Sequence, residues 1–233
     1  MPVGSGAENQ RCSSNNVTLH PGGQWPSGYR DARKSPPLQT QLDRHAVRES
    51  GRKHMGLPHT PTPVLLLLAA SSRYEDALAW GLHQAEREFG PVADISDAFD
   101  FTETDYYNAD MGGELKKQFW AFETPIDPGR LAAIKLTTNL WEAEYSGAGF
   151  HPEPRPLNLD PGYITLAKLV LASTKDHAHR IYLADGIYAE VTLSFRGGAW
   201  QPFEWTYPDY RRADFHAFFT RCRELLRDAG RRN

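Results

Sequence analysis

The chain has 233 residues, of which 40% are hydrophobic and 24% charged, and its formal net charge is −3. This composition is typical of a globular protein, and no apolar run approaches the roughly 18–20 residues of a membrane-spanning helix. Residues 1–54 carry 8 Lys and Arg against 4 Asp and Glu, whereas the remainder carries 18 against 25. Because the part expected to fold is acidic, the sequence predicts neither a nucleic acid nor a membrane as partner.

The first 60 residues differ from the rest. They lack hydrophobic periodicity and are rich in Ser, Asn, Gly, Pro and Arg, which predicts a disordered tail at 1–60 and a single α+β domain at 61–233. Met55 would be a natural start for the native protein. The two cysteines, Cys12 and Cys222, provide no disulfide framework and no zinc-ligand spacing, which favours a cytoplasmic location.

The predicted elements begin with the apolar run Val64–Ala70, which is bounded by Pro63 and Ser71 and is typical of a buried strand. No basic stretch directly precedes this run, so a secretory signal peptide is the weaker interpretation. Periodicity and turn residues predict the remaining elements: helix 74–89, strand 92–96, strand 114–123, helix 128–145, strand 155–158, helix 161–172, a hairpin within 173–195, strand 200–207 and helix 211–229.

Two Asp-Pro pairs, at Asp127 and Asp160, have the pattern of an N-cap followed by proline in the first helical position. They predict where the helices 128–145 and 161–172 begin. The resulting order of elements predicts an α+β fold in which helices cover one face of a mainly antiparallel sheet. The first six elements match a ferredoxin-like split βαβ unit, and a duplicated βαββα arrangement is the alternative.

The predicted hairpin carries the densest group of charged residues. Asp185-Gly186 is a strong type I′ turn signal, and a two-residue loop would pair Ile181 with Glu190. His179 and Glu190 would then share one face, within hydrogen-bonding reach, while Arg180 would lie on the other. One interpretation is an outward-facing polar pair. The other is an acid–base pair beside an anion site.

Further candidate residues lie on a helix and in aromatic segments. Lys135, Thr138, Asn139 and Glu142 form one stripe of the helix 128–145, which would be either a solvated face or the wall of a ligand cleft. Four tyrosines in predicted loops or strand ends could stack on a base or sugar, or could simply be core residues; they are Tyr106, Tyr107, Tyr207 and Tyr210. Arg211 could pair with a phosphate.

Several familiar motifs are absent from the sequence. There is no Walker A loop, no G-x-G-x-x-G and no H-E-x-x-H. In "STKD", Lys175 and Asp176 are adjacent, whereas the guanine-reading box of GTPases has one residue between them. His177 and His179 could chelate a metal from one strand face, but no third ligand is apparent, so no metal site is predicted.

Four segments carry a resemblance to a known family: "TDYYNADMGGELKKQFWAF", "IKLTTNLWE", "NLDPGYITLAKLVLASTKDHAHRIYLADGIYAEVTL" and "WTYPDYR". They resemble domain-of-unknown-function family 4416, an uncharacterised prokaryotic family, over about residues 63–229. The resemblance implies a cytoplasmic protein, and some members carry the label "GTP-binding protein". Because the P-loop is absent, such binding here would not follow a known GTPase mechanism.

These observations predict a binding site for a small molecule, a nucleotide or another phosphorylated metabolite. His179 and Glu190 are the candidate catalytic residues. The candidate ligand-binding residues are Tyr106, Tyr107, Lys135, Asn139, Lys175, Arg180 and Arg211. A non-catalytic interaction or assembly protein is the alternative. The sequence identifies no cofactor and leaves both enzymatic activity and oligomeric state open.

Overall fold

The centre of the fold is strand β1 (Leu65–Ser72), and all eight of its residues are buried. This strand confirms the buried strand predicted from the apolar run. In the computed structural model the described residues are 56, 58–103 and 108–232. Tyr106 and Tyr107 therefore lie outside the described residues, as does nearly all of the predicted tail at 1–60. Residues from His59 to the C-terminus form one compact unit.

Eight further strands and four helices follow β1 within the described ranges. The strands are β2 (Val92–Ile95), β3 (Phe99–Asp100), β4 (Lys116–Phe122), β5 (Asn158–Ile164), β6 (Lys168–Ser173), β7 (Ile181–Ala184), β8 (Ile187–Arg196) and β9 (Ala199–Pro202). The helices are α1 (Glu75–Phe89), α2 (Asn108–Met111), α3 (Leu131–Gly147) and α4 (Ala213–Arg232). Short 3₁₀ turns at Pro128–Arg130 and Asp209–Arg211 precede α3 and α4.

The strands form one antiparallel sheet in the order β2-β4-β1-β5-β6-β8-β7, with β3 beside β4 and β9 beside β8. The part β2-β4-β1-β5, connected through α1 and α3, has the strand order of the ferredoxin-like split βαβ unit. The α+β prediction is therefore confirmed. In the second half, strands β6 to β9 follow one another without an intervening helix and α4 comes last, so no second βαββα unit is present in the described residues.

The predicted helix at 161–172 is wrong, because these residues form the end of β5 and most of β6. Asp160 lies inside β5 and caps no helix. Gly162 helps to explain why these residues form strands rather than a helix. A Cβ at this position would lie 2.4 Å from the backbone oxygen of Val170. Two backbones that approach this closely require glycine, and they belong to a tight strand pair.

Helices cover both faces of the sheet, whereas the sequence predicted one. On one face, α1 and α3 pack with alternate residues of β1 such as Leu66 and Leu68. On the other, α4 packs Phe215 and Phe219 against Leu67 and its neighbours. This arrangement explains why β1 reads as a continuous apolar run. None of the helices in the described ranges has the length and apolar character needed to cross a membrane.

The sheet opens between β5 and β6. These strands pair only from Gly162–Leu171 to Ile164–Leu169. The preceding residues of β5, beginning at Asn158, pair with β1 alone, while β6 continues along β8. Pro161 stands where the pairing stops, and proline has no N–H to donate to a ladder. The two strands therefore separate at this end of the sheet and leave a cleft.

The hairpin β7–β8 has the predicted turn but a different register. Asp185 and Gly186 both have positive φ, 52° and 77°, which confirms the turn signal. The pairing then shifts by one residue between Tyr182 and Ala184, so Ile181 faces Ala189 rather than Glu190. The extra residue is a β-bulge. Its effect is to place the residue before β7, Arg180, beside Glu190.

Candidate functional site

A cavity of about 620 Å³ lies where β5 and β6 separate. Five basic side chains line it, from β4, α3, the segment before β5 and the loop between β6 and β7: Lys117, Lys135, Arg155, Lys175 and Arg180. Five acidic side chains line it as well: Glu103, Asp110, Asp160, Glu190 and Asp209. Among the described residues, the cavity lining therefore contains many charged groups, but their positive and negative charges nearly cancel.

The first ion pair joins α3 to β5. Lys135, with a side chain only 4% exposed, donates from Nζ to Asp160 Oδ1 at 2.8 Å and to the Leu159 carbonyl at 2.9 Å. Burial opposes ionisation of Asp160, but the charge and hydrogen bond of Lys135 and the amide of Asn158 outweigh it. The pKa of Asp160 therefore lies well below its ordinary range, and its carboxylate stays ionised.

A second network lies directly behind this pair. Glu142 accepts hydrogen bonds from Arg155 Nε and Nη2, at 3.0 and 2.6 Å, and from the Leu159 N–H at 2.8 Å. Arg155 also contacts the side-chain oxygen of Asn158. Burial raises the pKa of Glu142, although Lys135 and Arg155 oppose that rise. These contacts fasten the start of β5 to α3 and so shape one wall of the cavity.

The polar stripe predicted on α3 faces this wall rather than solvent. Lys135, Thr138 and Glu142 are buried, and Thr138 donates from Oγ1 to the Leu159 carbonyl at 3.2 Å. Asn139 lines the cavity, and its amide makes no hydrogen bond to any described residue. Because asparagine is a poor helix former, an unengaged amide in the middle of α3 is notable.

The second ion pair joins the β6–β7 loop to β8. Arg180 donates from Nε to Glu190 Oε2 at 2.8 Å, and both side chains are almost completely buried. His179 Nε2 lies 3.1 Å from the same oxygen, so the predicted His179–Glu190 contact is confirmed. The prediction that Arg180 lies across the sheet from Glu190 is wrong. The bulge in β7, which the sequence did not reveal, accounts for the difference.

Arg180 also organises its own loop. Its Nη1 donates to Ser173 Oγ at 2.6 Å and to the Lys175 carbonyl at 3.0 Å, and its Nη2 donates to Tyr207 Oη at 3.2 Å. Burial would lower the pKa of Arg180, but the hydrogen bonds to Glu190 and Tyr207 raise it. The guanidinium is therefore permanently charged, and Glu190 holds it in place.

The third ion pair was not predicted. Lys117 on β4 donates from Nζ to Asp209 Oδ2 at 2.5 Å, with side chains 7% and 4% exposed. The ammonium also lies 4.3 Å from the ring centroid of Phe101 and 4.9 Å from that of Tyr210. Strand alternation could have indicated it, because Lys117 shares a strand face with the buried Phe119.

The structure gathers most of the predicted ligand-binding residues and leaves two predicted residues aside. Five of the predicted site residues line the cavity together, as do two of the four tyrosines: Lys135, Asn139, Lys175, Arg180, Glu190, Tyr207 and Tyr210. His179 is not part of this lining and lies outside it, against Glu190 and Trp205. Arg211 is also elsewhere: it donates to the carbonyls of residues 203, 204 and 206 and holds that turn together.

The family model named Domain of unknown function (DUF4416) matches residues 62–226. The chain belongs to the DUF4416 family. The resemblance predicted from the sequence is thereby confirmed, and every residue that lines the cavity lies inside the matched range. No curated protein and no solved structure matches the chain.

Within the DUF4416 domain, three buried cations from three separate elements therefore share one cavity. Each is paired with a carboxylate: Lys117 with Asp209, Lys135 with Asp160, and Arg180 with Glu190. Such an arrangement can bind an anion without reorganisation of its charged groups. It can also exchange a carboxylate partner for a phosphate oxygen, because both accept hydrogen bonds from the same donors.

Proposed function

We propose that this DUF4416 protein binds a small phosphorylated metabolite, a class that includes nucleotides, in the cavity between β5 and β6. The observation that carries the proposal is the convergence of Lys117, Lys135 and Arg180 on one cavity. Its volume of about 620 Å³ falls in the range of roughly 300–1,000 Å³ that small-molecule sites occupy.

Energetics support a functional origin for these ion pairs. The free energy lost when two charges are removed from water is usually about as large as the free energy gained from their attraction. A protein in which apolar residues replace a buried ion pair is therefore often as stable as the original protein, or more stable. Stability alone therefore does not explain three such pairs around one cavity. Preorganised charges that await an anionic ligand do explain them.

Lys117 is the best anchor for the anionic group. An ammonium carries three N–H donors, yet the ammonium of Lys117 makes one hydrogen bond to the described residues, the one to Asp209. Lys135 and Arg180 are more fully engaged by backbone and side-chain oxygens. An entering phosphate would thus contact Lys117 first, with Asn139 as an additional neutral donor from α3.

If a reaction accompanies binding, Glu190 and His179 are its acid–base candidates. Glu190 is one of the carboxylates that line the cavity, and His179 is hydrogen-bonded to it from outside, so a proton could pass between them. In the absence of a reaction, Glu190 serves to position Arg180.

A calorimetric and thermal-shift screen tests the proposal. Inorganic phosphate, sugar phosphates and nucleoside monophosphates are titrated into wild-type protein, Asn139→Ala and the matched control Glu144→Ala, which changes an exposed residue of the same helix. A ligand at 100 times its Kd stabilises by about 2.7 kcal/mol, which raises Tm by roughly 5–10 °C for a domain of this size. Asn139→Ala should weaken binding and Glu144→Ala should not. A complete absence of shifts in wild type refutes the proposal.

One observation favours the alternative of an interaction protein. On the edge strand β7, Ile181, Tyr182 and Leu183 are 72%, 57% and 41% exposed. Exposed apolar edges pair readily with other strands. Light scattering at several concentrations, on wild type and on Tyr182→Lys, distinguishes a self-associating edge from a monomeric one.

A cytoplasmic location belongs to the same proposal. Phosphorylated metabolites are made and used in that compartment, and the chain has only two cysteines. Fractionation of cells that produce the tagged full-length protein tests the location, and recovery outside the cytoplasm would contradict it.

A further inference from the structure

Four aromatic rings form a nearly parallel stack that runs toward the cavity. Phe203 and Trp205 stack at 4.8 Å between ring centroids, Trp205 and His179 at 5.4 Å, and His179 and His177 at 5.8 Å. The angles between neighbouring ring planes are 2°, 10° and 5°. We call these four residues the ring ladder. Its last ring, His177, lines the cavity.

Hydrogen bonds hold the ladder in position. Trp205 donates from Nε1 to the Val191 carbonyl at 3.1 Å, and His179 is bonded to Glu190. The N–H of Arg180 donates to the His177 carbonyl at 2.9 Å, which closes a turn around the two histidines. The ladder is therefore a preorganised platform, and a ligand that stacks on it pays little ordering entropy.

Among the described residues, His177 is the exposed end of the ring ladder. Its ring stacks on His179, and no other ring of that part of the chain stacks on it. Stacked rings prefer centroid separations of about 4.5–7 Å, the spacing found throughout the ladder. A planar ring inside the cavity would extend the ladder by one step.

Resting on the proposed function, we propose that the ligand is a nucleoside phosphate: an anionic metabolite with a planar heteroaromatic base. His177 stacks on the base, and the basic side chains of the cavity, with Lys117 foremost, bind the phosphate. The unengaged amide of Asn139 has both a donor and an acceptor to offer to the base or the sugar. Stacking also explains why an exposed histidine stands at the cavity rather than a lysine or a serine.

The test separates the base from the phosphate. Binding of a purine nucleoside monophosphate and of ribose 5-phosphate is measured by calorimetry on wild type, His177→Ala and His177→Phe. His83→Ala, which removes an exposed histidine on α1, is the matched control. Wild type should bind the nucleotide at least tenfold more tightly than ribose 5-phosphate. His177→Ala should weaken nucleotide binding by roughly 5- to 150-fold, the range measured for loss of an aromatic stacking partner.

The variants also separate stacking from a merely structural effect. His177→Phe keeps a flat ring and should retain nucleotide binding, whereas His177→Ala should leave ribose 5-phosphate binding and Tm unchanged. Equal affinity of wild type for the two ligands overturns the stacking proposal but leaves the phosphate site in place. An equal loss of both ligands in His177→Ala also overturns it. Failure of wild type to bind either ligand, or any other phosphorylated compound, refutes the proposed function itself.

Discussion

The Lys117–Asp209 pair offers the sharpest test of whether the cavity is built for stability or for binding. Lys117→Met removes the charge but keeps an unbranched side chain between the rings of Phe101 and Tyr210, where a thioether packs well. It leaves Asp209, only 4% exposed, without its ionic partner. Loss of one member of a buried pair costs about 3–5 kcal/mol, because the remaining charge stays desolvated.

The double variant Lys117→Met/Asp209→Leu gives the opposite expectation. With both charges replaced by apolar groups of similar size, no unpaired charge remains, and the free energy of unfolding should return close to that of wild type. At roughly 2–4 °C per kcal/mol, the single variant should lose about 6–20 °C in Tm and the double variant should recover most of it. The double variant should nevertheless fail to bind phosphate compounds.

Urea denaturation followed by circular dichroism measures the stabilities, and calorimetry measures binding on the same samples. The reasoning is refuted if the double variant is as unstable as the single one, because the pair would then be structural. It is also refuted if the double variant binds like wild type, because Lys117 would then not contact the anion. The single variant Asp209→Leu completes the cycle and gives the coupling energy of the pair.

Three further predictions concern stability and reactivity. Because folding lowers the pKa of Asp160, its contribution to stability is present above its unfolded pKa of about 3.9 and is lost as pH falls toward the folded value. In urea titrations, Asp160→Asn should therefore lower the free energy of unfolding at pH 6 and reduce the further loss of stability below about pH 4. A variant that loses stability below about pH 4 as steeply as wild type would contradict this. Gly162→Ala should destabilise the protein by about 1–3 kcal/mol, because the new Cβ would lie 2.4 Å from a backbone oxygen of β6. The matched control is Gly147→Ala in α3, where a Cβ would have nothing within 4 Å. In the same denaturation assay this control should be neutral or stabilising by up to about 1 kcal/mol. Burial raises the pKa of the Cys222 thiol. In a Cys12→Ser background, a disulfide reagent at pH 8 should therefore label the protein only after denaturant is added. Rapid labelling of the native protein would contradict the burial of Cys222 on α4.

Local patterns in the sequence were sufficient for several elements. The apolar run that became β1 needs only burial on both faces, and the turn at Asp185-Gly186 follows from the φ angles that these two residues tolerate. The N-cap at Asp127 likewise depends on neighbours two residues away, and its carboxylate accepts a hydrogen bond from the Gly129 N–H as expected. Periodicity also grouped Lys135 with Asn139 on one side of a helix, and that side lines the cavity.

Local sequence patterns gave wrong predictions where contacts between distant parts of the chain decide the secondary structure or the strand register. Asp160-Pro161 has the pattern of a helix start, yet it is part of β5, because pairing with β1 outweighs the local capping preference. The predicted position of Arg180 was wrong for a related reason. One bulged residue in β7 moves it to the side of Glu190, and no local pattern in a short edge strand specifies a bulge.

The sequence by itself determined the α+β class, the buried strand β1, the sharp hairpin turn and the family, since each depends on residues close together in the chain or on long matching segments. Only the tertiary structure decided how the charges are paired. Lys117 and Asp209 are 92 residues apart, and Lys135 and Asp160 are 25 apart. Such pairs depend on strand order and register, because a shift of one residue turns a side chain to the opposite face of the sheet. The cavity itself exists because β5 and β6 separate after three paired positions, which is a property of the assembled sheet.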